Sequence, residues 1–468
     1  MMRDLTVQLL HEVVGGRLRM ATLAPRDGEL ALIERIATDS RHVTAGDVFW
    51  GLAGPRFDGA VFADEAYANG AAGVVVNRYV QPWPGCWSLE VDNGQEALVR
   101  LARWNRARFG GRVIGVTGSV GKTTTREMIN AVLSTVYAGS ASQKNYNNHL
   151  GVPLSLLALE PTHDFAVLEM GASAPGEIAD LAELCAPHIG VITRLGEAHL
   201  GGFDSAEAVA QSKVELLAAL TADSWAVLPG DDPVLRRLAA SCRARIMWVG
   251  RSLGCDIIAT DVRCGHGRLS FRVDDCAFEV PVWGRHHLAS ALAAIAVGKI
   301  FGLSLDQIAA GLSGFQPPPM RCQVMEVGGT TVIDDTYNAS PTAMRAALEL
   351  LRDFDAPGRR IVVCGDMREL GDEAQGLHRR LGDEVVTLCG ADELLACGDH
   401  APDVIAGAFD AGMPRQRGKA YREPAETLPR LSASVEPGDV VLIKGSRAMA
   451  MERLVQALQL KSPLARAA

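Results

Sequence analysis

The chain has 468 residues, a formal net charge of −9 at pH 7 and an apolar fraction of 48%. Because compact domains usually contain roughly 100 to 200 residues, this length predicts about three domains. The composition excludes the disordered and fibrous classes, and a negative charge without a long basic run excludes a general nucleic-acid binder.

The N-terminal apolar stretch is interrupted by charges and has no small-residue cleavage site, so we expect no secretion signal. We expect no membrane span either, since the apolar runs are shorter than a bilayer requires. The ten cysteines lie between Cys86 and Cys397, without CxxC pairs or the usual Cys/His zinc spacing. They are predicted to be reduced core residues of a cytoplasmic protein. We also expect a monomer, although the sequence leaves the oligomeric state open.

Residues 1–108 are predicted to form a small α/β domain. This segment starts with a helical pattern, contains the strand candidate Gly73–Val76 and ends on the helix-like sequence EALVRLARWNRARFG.

Residues 109–314 are predicted to form a doubly wound domain. The apolar run RVIGV leads through glycines into TTTREMINAVLSTV, whose apolar positions recur at helical spacing. Further strand candidates, FAVLEM, HIGVITRL and SWAVLPG, alternate with helical segments. This alternation is typical of a parallel sheet that is covered by helices on both faces.

Residues 315–468 are predicted to form a third, Rossmann-like α/β domain. The boundary is placed at FQPPPMR, residues 315–321, because three successive prolines cannot continue a helix. Three later segments, TTVIDDTYN, RRIVVCGDM and DVVLIKGSR, read as strands that end in polar residues. Active sites of open α/β sheets lie at such carboxyl ends.

A phosphate-binding loop is predicted at GVTGSVGKTTT, residues 115–125. Glycines allow backbone N–H groups to approach phosphate oxygens, a lysine adds charge, and a threonine hydroxyl can bind Mg²⁺. The segment departs from strict GxxxxGK[ST], because Val116 precedes Gly121 by five residues. A tight glycine turn is the alternative, but it explains neither the lysine nor the hydroxyls. The predicted nucleotide-binding residues are Gly118, Ser119, Val120, Gly121, Lys122, Thr123 and Thr124.

Three further residues are candidates whose pattern alone leaves their roles open. Glu169 ends a strand and could bind Mg²⁺, although carboxylates at strand ends are often helix caps or surface groups. His199 follows another strand, where a histidine is commonly solvated or structural. Lys213 lies on a predicted helix and would by default extend to solvent.

Six segments resemble the Mur ligase family in order and spacing. They are TGSVGKTTT at 117–125, NYNNHLGVP at 145–153, VLEMGAS at 167–173, GEAHLGGF at 196–203, SKVELL at 212–217 and GRHHLASALAA at 284–294. The resemblance implies an enzyme that phosphorylates a carboxylate of a UDP-linked muramoyl substrate with ATP. An amine would then attack the acyl phosphate.

The resemblance also implies roles for the candidates above. Lys122 would neutralise the transferred phosphate, while Thr123 and Glu169 would hold Mg²⁺. Glu169 and His199 would reach a second metal position. Lys213 matches a lysine that becomes carbamoylated in this family and supports that second Mg²⁺.

Nucleotide and substrate contacts follow from the same resemblance. Asn147 and Asn148 would approach the substrate and the transferred phosphate, and Arg321 and Asp335 would face ATP from the third domain. The base-binding segment departs from the family pattern GxHNxxNxxAA. His287 and Ser290 stand in its two Asn positions, which leaves their contact with adenine open.

The outer domains are expected to select the substrate. TDSRHVTAGDVFWGLAGPRFDGAVF at 38–62 resembles a UDP-binding domain, with Ser40 and Arg41 near the uridine and phosphates; a strand and an ordinary Asp58–Gly59 bend are the alternative. DDTYNASPTAMRAAL, GDMRELGDEA and LIKGSRAMAME resemble members that add D-alanyl-D-alanine to UDP-N-acetylmuramoyl-tripeptide. The implied substrate-binding residues are Tyr337, Asn338, Ser340, Lys444, Ser446 and Arg447, of which the last three could equally form a structural strand end.

Two alternatives stay open at this point. One is another amide ligase of the superfamily, adding the third peptide residue or glutamate to folate, although neither a DYAHTPD-like turn nor a DNPR motif is present. The other is a non-catalytic module that binds nucleotide. The sequence leaves the third residue of the tripeptide, diaminopimelate or lysine, undecided.

Overall fold

The structure is a computed structural model that describes residues 4–21, 28–54, 57–143, 145–197, 200–203 and 205–461. The described residues form two compact units. The first lies within Met1–Gly115, Tyr137–Met170 and Asp180–Pro187, and the second within Val116–Val136, Gly171–Ala179 and His188–Ala468. The domain ranges 1–108, 109–314 and 315–468 stay predictions.

Helices and strands alternate along most of the chain. The helices are α1 Val7–Val14, α2 Ala63–Ala68, α3 Gly94–Arg108, α4 Lys122–Leu133, α5 Gly151–Leu157, α6 Glu177–Cys185, α7 Ala206–Ala218, α8 Pro233–Leu238, α9 Leu288–Ile300, α10 Leu305–Ser313, α11 Pro341–Asp353, α12 Ala374–Thr387, α13 Ala401–Asp410, α14 Pro424–Ser434 and α15 Glu452–Lys461. The strands are β1 Arg17–Met20, β2 Ile36–Ala37, β3 Val48–Trp50, β4 Ala53–Gly54, β5 Phe57–Asp58, β6 Gly73–Val76, β7 Trp87–Glu90, β8 Arg112–Thr117, β9 Gly139–Ala141, β10 Phe165–Glu169, β11 Ile189–Ile192, β12 Trp225–Pro229, β13 Arg245–Gly250, β14 Ile257–Ile258, β15 Thr260–Gly265, β16 Arg268–Val273, β17 Cys276–Val280, β18 Gln323–Val327, β19 Thr330–Asp335, β20 Arg360–Gly365, β21 Glu393–Cys397, β22 Gly418–Tyr421 and β23 Val440–Lys444.

The first unit contains a five-stranded sheet in the order β1-β7-β6-β3-β2. Its strands are parallel apart from β1, which runs antiparallel to β7. Gly73 opens the fully buried strand β6, where a Cβ atom would lie 2.1 Å from the Trp87 ring. The position therefore requires glycine because the indole occupies the space of a side chain. The predicted strand at 73–76 is confirmed.

The second unit contains the parallel strands β11, β12, β13 and β14, paired in that order. The predicted strands at 188–195 and 224–230 are confirmed as β11 and β12. Their residues are buried almost throughout, as expected of parallel strands that are covered on both faces.

A six-stranded sheet in the order β18-β19-β23-β20-β21-β22 lies in the same unit. Successive residues of its central strands face opposite layers. Ile333, Val362 and Leu442 pack in one apolar cluster with residues of α11 to α13. Their neighbours Val332, Ile361 and Val441 pack in another with residues of α14 and α15. The sheet is therefore doubly covered, which confirms the predicted α/β class.

The edges of this sheet differ from its centre. β18 runs antiparallel to β19, and β22 pairs with β21 alone. Each edge strand carries an exposed charged side chain, Glu326 in β18 and Lys419 in β22.

Strands β15, β16 and β17 form an antiparallel sheet that the sequence analysis did not predict. Phe271 and Phe278 pair across β16 and β17, with ring centroids 5.4 Å apart. The alternation of exposed and buried residues in β16 was the available signal for it.

All ten cysteines are free thiols, and six of them are buried. Among the described residues, no helix is both long and apolar enough to cross a membrane.

Candidate active site

The phosphate loop connects β8 to α4. Gly121, the residue before the helix, is left-handed with φ 89°, and no side chain caps the helix there. The first N–H groups of α4 therefore point toward a potential ligand, an arrangement that favours an anion. The predicted sequence of strand, loop and helix is confirmed.

Ser119 and Lys122 are two polar side chains of this loop. The Lys122 ammonium donates to the Gly118 carbonyl at 2.8 Å. The Ser119 hydroxyl oxygen is buried and, within the described chain, has no hydrogen-bond partner. Because a buried hydroxyl without a partner costs free energy, this loop is better suited to an occupied state than to an empty one.

Thr193, which follows β11, fixes the shape of the loop. Its hydroxyl donates to the Val120 carbonyl at 2.6 Å, and Val120 forms an isolated antiparallel bridge with Arg194. A Cβ atom on Gly118 would lie 2.1 Å from the Thr193 hydroxyl oxygen, so only glycine fits there. Thr193 was not predicted from the sequence, because nothing in its local pattern marks a residue that contacts the loop through space.

His287 and Ser290, which stand in the two Asn positions of the base-binding segment, have different surroundings. Ser290 accepts a hydrogen bond from the buried hydroxyl of Thr125 at 2.8 Å, and so ties α9 to α4 beneath the loop. The neighbouring Thr124 is also buried. His287 is 8% exposed, and burial lowers the pKa of its imidazole, so it is neutral at pH 7. Ser290 thus has a structural partner.

Glu169 and Asn147 meet in the first unit. Glu169 is buried at the end of β10, where its carboxylate accepts from the Asn147 amide at 2.9 Å. Asn148 has a different local role, because its side-chain oxygen accepts from the N–H groups of Leu150 and Gly151 at the start of α5. A buried carboxylate is normally paired or metal-bound, so Glu169 suits the predicted ligand role.

Lys213 lies on α7 and is 1% exposed, so the default expectation of a solvent-directed lysine is wrong. Its ammonium lies 3.4 Å from the Ala172 carbonyl and 5.5 Å from the Phe203 ring centroid. Burial, together with the positive charge of Lys122, lowers the pKa of Lys213 to about 8. About one tenth of the amine is therefore uncharged and nucleophilic at pH 7, and a larger fraction at higher pH.

Arg321 connects the segment before β18 to the phosphate loop. Its guanidinium donates to the Thr123 hydroxyl at 3.0 Å and lies 4.1 Å from the centroid of the Tyr337 ring. The structure thus brings together three predicted site residues from distant parts of the sequence.

Asp335 and Lys444 form a buried ion pair at the carboxyl ends of β19 and β23. These parallel strands place the two residues side by side, with Lys444 Nζ 2.5 Å from an Asp335 carboxylate oxygen. Lys444 also donates to the Asn338 carbonyl at 2.9 Å. In this arrangement, Lys444 neutralises a carboxylate of its own chain.

The remaining substrate-binding residues predicted within 315–468, called the third segment below, have partners close to them in the chain or in space. Ser340 caps α11, with its hydroxyl accepting from Ala343 N at 3.4 Å. The Ser446 hydroxyl accepts from Arg368 N at 2.8 Å. Arg447 is half exposed and pairs with Glu452 at 3.0 Å. Their roles toward a substrate stay predictions.

The predicted uridine-site residues also differ in exposure. Ser40 is buried and donates to Glu65 at 2.5 Å, whereas Arg41 is exposed and binds Asp39 through two hydrogen bonds of 2.9 and 2.7 Å. His199 lies outside the described residues.

Comparison with known proteins places these residues in a family. Residues 116–298 match the Mur ligase middle domain, and residues 320–447 match the Mur ligase, glutamate ligase domain. The UDP-N-acetylmuramoyl-tripeptide--D-alanyl-D-alanine ligase of Bacillus subtilis (strain 168) is 36% identical over 98% of this chain and 99% of the relative. The chain belongs to the Mur ligase family.

Solved structures agree with this assignment. A crystal structure of MurF from Acinetobacter baumannii has a TM-score of 0.87 and 32% identity, covering 97% of this chain and 99% of that one. MurF ligase from Thermotoga maritima in complex with ADP has a TM-score of 0.79 and 31% identity, covering 93% and 98%. This Mur ligase therefore has the three-domain α/β architecture of the family and is an ATP-dependent peptide ligase.

Proposed function

We propose that this Mur ligase uses ATP and Mg²⁺ to join D-alanyl-D-alanine to UDP-N-acetylmuramoyl-tripeptide in peptidoglycan precursor synthesis. The observation that carries the proposal is similarity over nearly the whole chain to proteins named UDP-N-acetylmuramoyl-tripeptide--D-alanyl-D-alanine ligase. The phosphate loop and the motifs of the third segment support it. The same activity implies a contribution to cell shape and cell division.

The first step is formation of an acyl phosphate. A carboxylate oxygen at the end of the tripeptide bonds to the γ-phosphorus of ATP, and the bond from that phosphorus to the bridging oxygen of ADP breaks. The N–H groups at the start of α4 and the ammonium of Lys122 stabilise the charge of the transferred group. To do so, Lys122 exchanges its hydrogen bond to the Gly118 carbonyl for phosphate oxygens.

The available donors suit Mg²⁺. Thr123 offers a hydroxyl, and Glu169 offers a buried carboxylate, both oxygen ligands of the kind that this hard cation prefers. Family resemblance assigns the cation-binding roles to these residues, and it adds His199 and Lys213. When bound, Mg²⁺ neutralises charge on the phosphoryl group and on ADP.

Lys213 is proposed to bind CO₂ as a carbamate. The ammonium first loses one proton, and the neutral amine nitrogen then bonds to the carbon of CO₂ and releases a second proton, so that a buried cation becomes an anion. The burial of Lys213 and its pKa of about 8 support this reaction, since only the uncharged amine is nucleophilic. The carbamate would then act as a further oxygen ligand.

The second step is formation of the amide bond. The amine nitrogen of D-alanyl-D-alanine attacks the acyl carbon, and the tetrahedral intermediate expels inorganic phosphate while the nitrogen loses a proton. Positively charged groups of the third segment, including Arg447, are proposed to orient the dipeptide carboxylate. Exclusion of water from the acyl phosphate is essential, because water would otherwise hydrolyse it.

A coupled phosphate-release assay tests this function. UDP-N-acetylmuramoyl-tripeptides that end in diaminopimelate or lysine are each incubated with ATP, Mg²⁺ and D-alanyl-D-alanine, and the products are weighed by mass spectrometry. We expect release only with both substrates and a product mass that includes the dipeptide. ATP binding without phosphate release would indicate the non-catalytic alternative, and turnover with diaminopimelate or glutamate as amine would indicate another ligase.

The Lys122→Ala variant tests the role of the Lys122 ammonium in the same assay. We expect phosphate release to fall by about 100-fold or more, because one preorganised charge at a transition state contributes on that scale. Binding of the UDP substrate should be nearly unchanged. Near-normal phosphate release by this variant would overturn the assignment of Lys122.

A cytoplasmic location and a monomeric state are also proposed. The ten free thiols support a reducing compartment. Fractionation of cells and light scattering of the purified chain test the two statements separately.

A further inference from the structure

A cluster of three metal-ligating side chains lies apart from the oxygen ligands proposed for Mg²⁺. His286 and His287 belong to a short 3₁₀ turn at Arg285–His287 before α9, and Cys322 precedes β18. One ligand atom from each of the three lies within 4.8 Å of the others. The cluster was not predicted from the sequence, since Cys322 follows the two histidines by 35 and 36 positions and the three residues match no zinc-binding spacing.

The distances in the cluster approach those of a metal site. The Cys322 sulfur lies 3.8 Å from His286 Nε2, and the two imidazole centroids lie 4.1 Å apart. Around a tetrahedral Zn²⁺, bond lengths of about 2.3 Å to sulfur and about 2.0 Å to nitrogen separate sulfur from nitrogen by about 3.6 Å. The Cys322 sulfur and His286 Nε2 are thus nearly at the separation that a shared Zn²⁺ would impose, and the other two pairs of ligand atoms lie within 4.8 Å.

Burial acts in opposite directions on the two kinds of ligand in this cluster. Burial lowers the pKa of His286 to about 4 and also lowers the pKa of His287, with Lys444 and Arg194 adding to the effect at His286. Both imidazoles are therefore neutral at pH 7, and each has a nitrogen lone pair for a metal. Burial and the neighbouring Asp335 carboxylate raise the pKa of the Cys322 thiol well above its ordinary value, so the thiol would lose its proton to the solvent only when the sulfur–metal bond forms.

The backbone at Cys322 provides an independent observation. Its φ is 50°, in the left-handed region that favours glycine. A side chain held in this region costs on the order of 1 kcal/mol and is frequently found at functional sites. In this conformation the Cys322 side chain lies toward the two histidines. Glycine would adopt the same conformation more easily, but it has no side chain that could bind a metal.

A cavity beside His286 provides a route by which an ion could reach the cluster. His286 lines a cavity of about 500 Å³ together with Cys264, Trp283, Arg285 and Phe354. His287 and Cys322 are each 8% exposed, so an ion would enter from the His286 side. The fourth coordination position would face this cavity and could hold water.

We propose that His286, His287 and Cys322 bind one thiophilic divalent cation of the Zn²⁺ type, which fastens the turn before α9 to the segment before β18. Sulfur and imidazole ligands select such a cation over Mg²⁺. Arg321, the neighbour of Cys322, donates to Thr123. Bound cation would therefore hold this link to the phosphate loop in place.

Cobalt and zinc titrations of the untagged full-length chain test the site. Protein is treated with a chelator, desalted and titrated with Co²⁺ in the presence of excess Mg²⁺. We expect one equivalent to bind, with a thiolate-to-cobalt absorption band that Zn²⁺ abolishes and Mg²⁺ leaves unchanged. Zn²⁺ should also raise the melting temperature in proportion to the logarithm of its concentration.

Two ligand variants and two control variants locate the ligands. Cys322→Ser and His286→Asn should each weaken Zn²⁺ binding by about 100-fold or more, since even outer-shell partners of metal ligands contribute about 10- to 100-fold. Cys322→Ser should also lose the thiolate band. Cys242→Ser replaces a half-buried thiol elsewhere; it is the matched control and should keep the thiolate band.

Three results would overturn the proposal. They are the absence of stoichiometric binding, a thiolate band that survives in a folded Cys322→Ser protein, and loss of the band in Cys264→Ser alone.

Discussion

Two buried lysines, Lys213 on α7 and Lys444 at the end of β23, have different surroundings. They are 1% and 3% exposed. Lys444 has a carboxylate of Asp335 at 2.5 Å, whereas the ammonium of Lys213 lies against a carbonyl and an aromatic ring, and its pKa is lowered to about 8. Burial alone therefore does not determine the charge of a lysine; the group placed beside it does.

This difference bears on the reaction of each lysine. The ammonium of Lys444 pairs with Asp335 and so joins the carboxyl ends of two strands. The Lys213 amine can lose its proton near neutral pH, which is the condition for reaction with CO₂. The comparison yields three predictions, which begin with the largest expected effect.

Replacing Lys213 with alanine should abolish most catalysis. If the lysine acts as a carbamate, phosphate release should fall by about 100-fold or more, as expected when a metal-supporting group is lost. Formate or acetate should restore part of the activity by occupying the vacated space as a carboxylate. Lys299→Ala, a substitution of a more exposed lysine on α9, is the control. A folded Lys213→Ala protein that no short carboxylic acid rescues would contradict the carbamate.

Replacing Lys444 with methionine should destabilise the fold. The change leaves the Asp335 carboxylate buried without its cation, which typically costs about 3–5 kcal/mol. Urea unfolding measures the loss in free energy. The double variant Asp335→Asn/Lys444→Met should recover most of it, and the cycle isolates the coupling between the pair. Equal losses in the single and double variants would show that the pair is not the cause.

Replacing Lys213 with methionine should raise the free energy of unfolding near neutral pH, whereas replacing Lys444 should lower it. The folded-state pKa of about 8 lies below the ordinary value of 10.5, so the unfolded chain binds more protons between these two pH values. The stability of the parent protein therefore rises with pH across that window, and the full cost of burying the charge is present below pH 8.

The methionine variant removes this cost. In CO₂-free buffer at pH 7 it should be more stable than the parent by up to about 3 kcal/mol, and the gain should shrink toward pH 10.5. Paired urea titrations at both pH values measure it. A gain that is independent of pH would mean that packing, rather than charge, explains the effect.

The fold was predictable where the signal was local. The loop before α4 and the strands β6, β11 and β12 follow from glycine chemistry and apolar runs. The sheet β15–β17 was missed because its strands are half exposed and therefore contain no continuous apolar run. Its alternation competes with the stronger helical and parallel-strand signals on either side.

The candidate site was predictable only in part, since its geometry depends on long-range contacts. The pattern of residues identified Lys122 directly, but Lys213 was recognisable only by resemblance, because a helical lysine gives no sign of its burial. Nothing local predicted that Arg321 would contact Thr123, or that Thr193 would shape the loop. These contacts depend on which strand ends become neighbours, and single-sequence patterns do not contain that information.

The edge strand β22 also affects how the protein behaves at high concentration. An unpaired strand edge can template the addition of another chain, and a charged side chain on it opposes such pairing. Lys419 is exposed in the middle of β22, with its ammonium 5.1 Å from the centroid of the Tyr421 ring. A single lysine thus opposes continuation of the six-stranded sheet into an intermolecular aggregate.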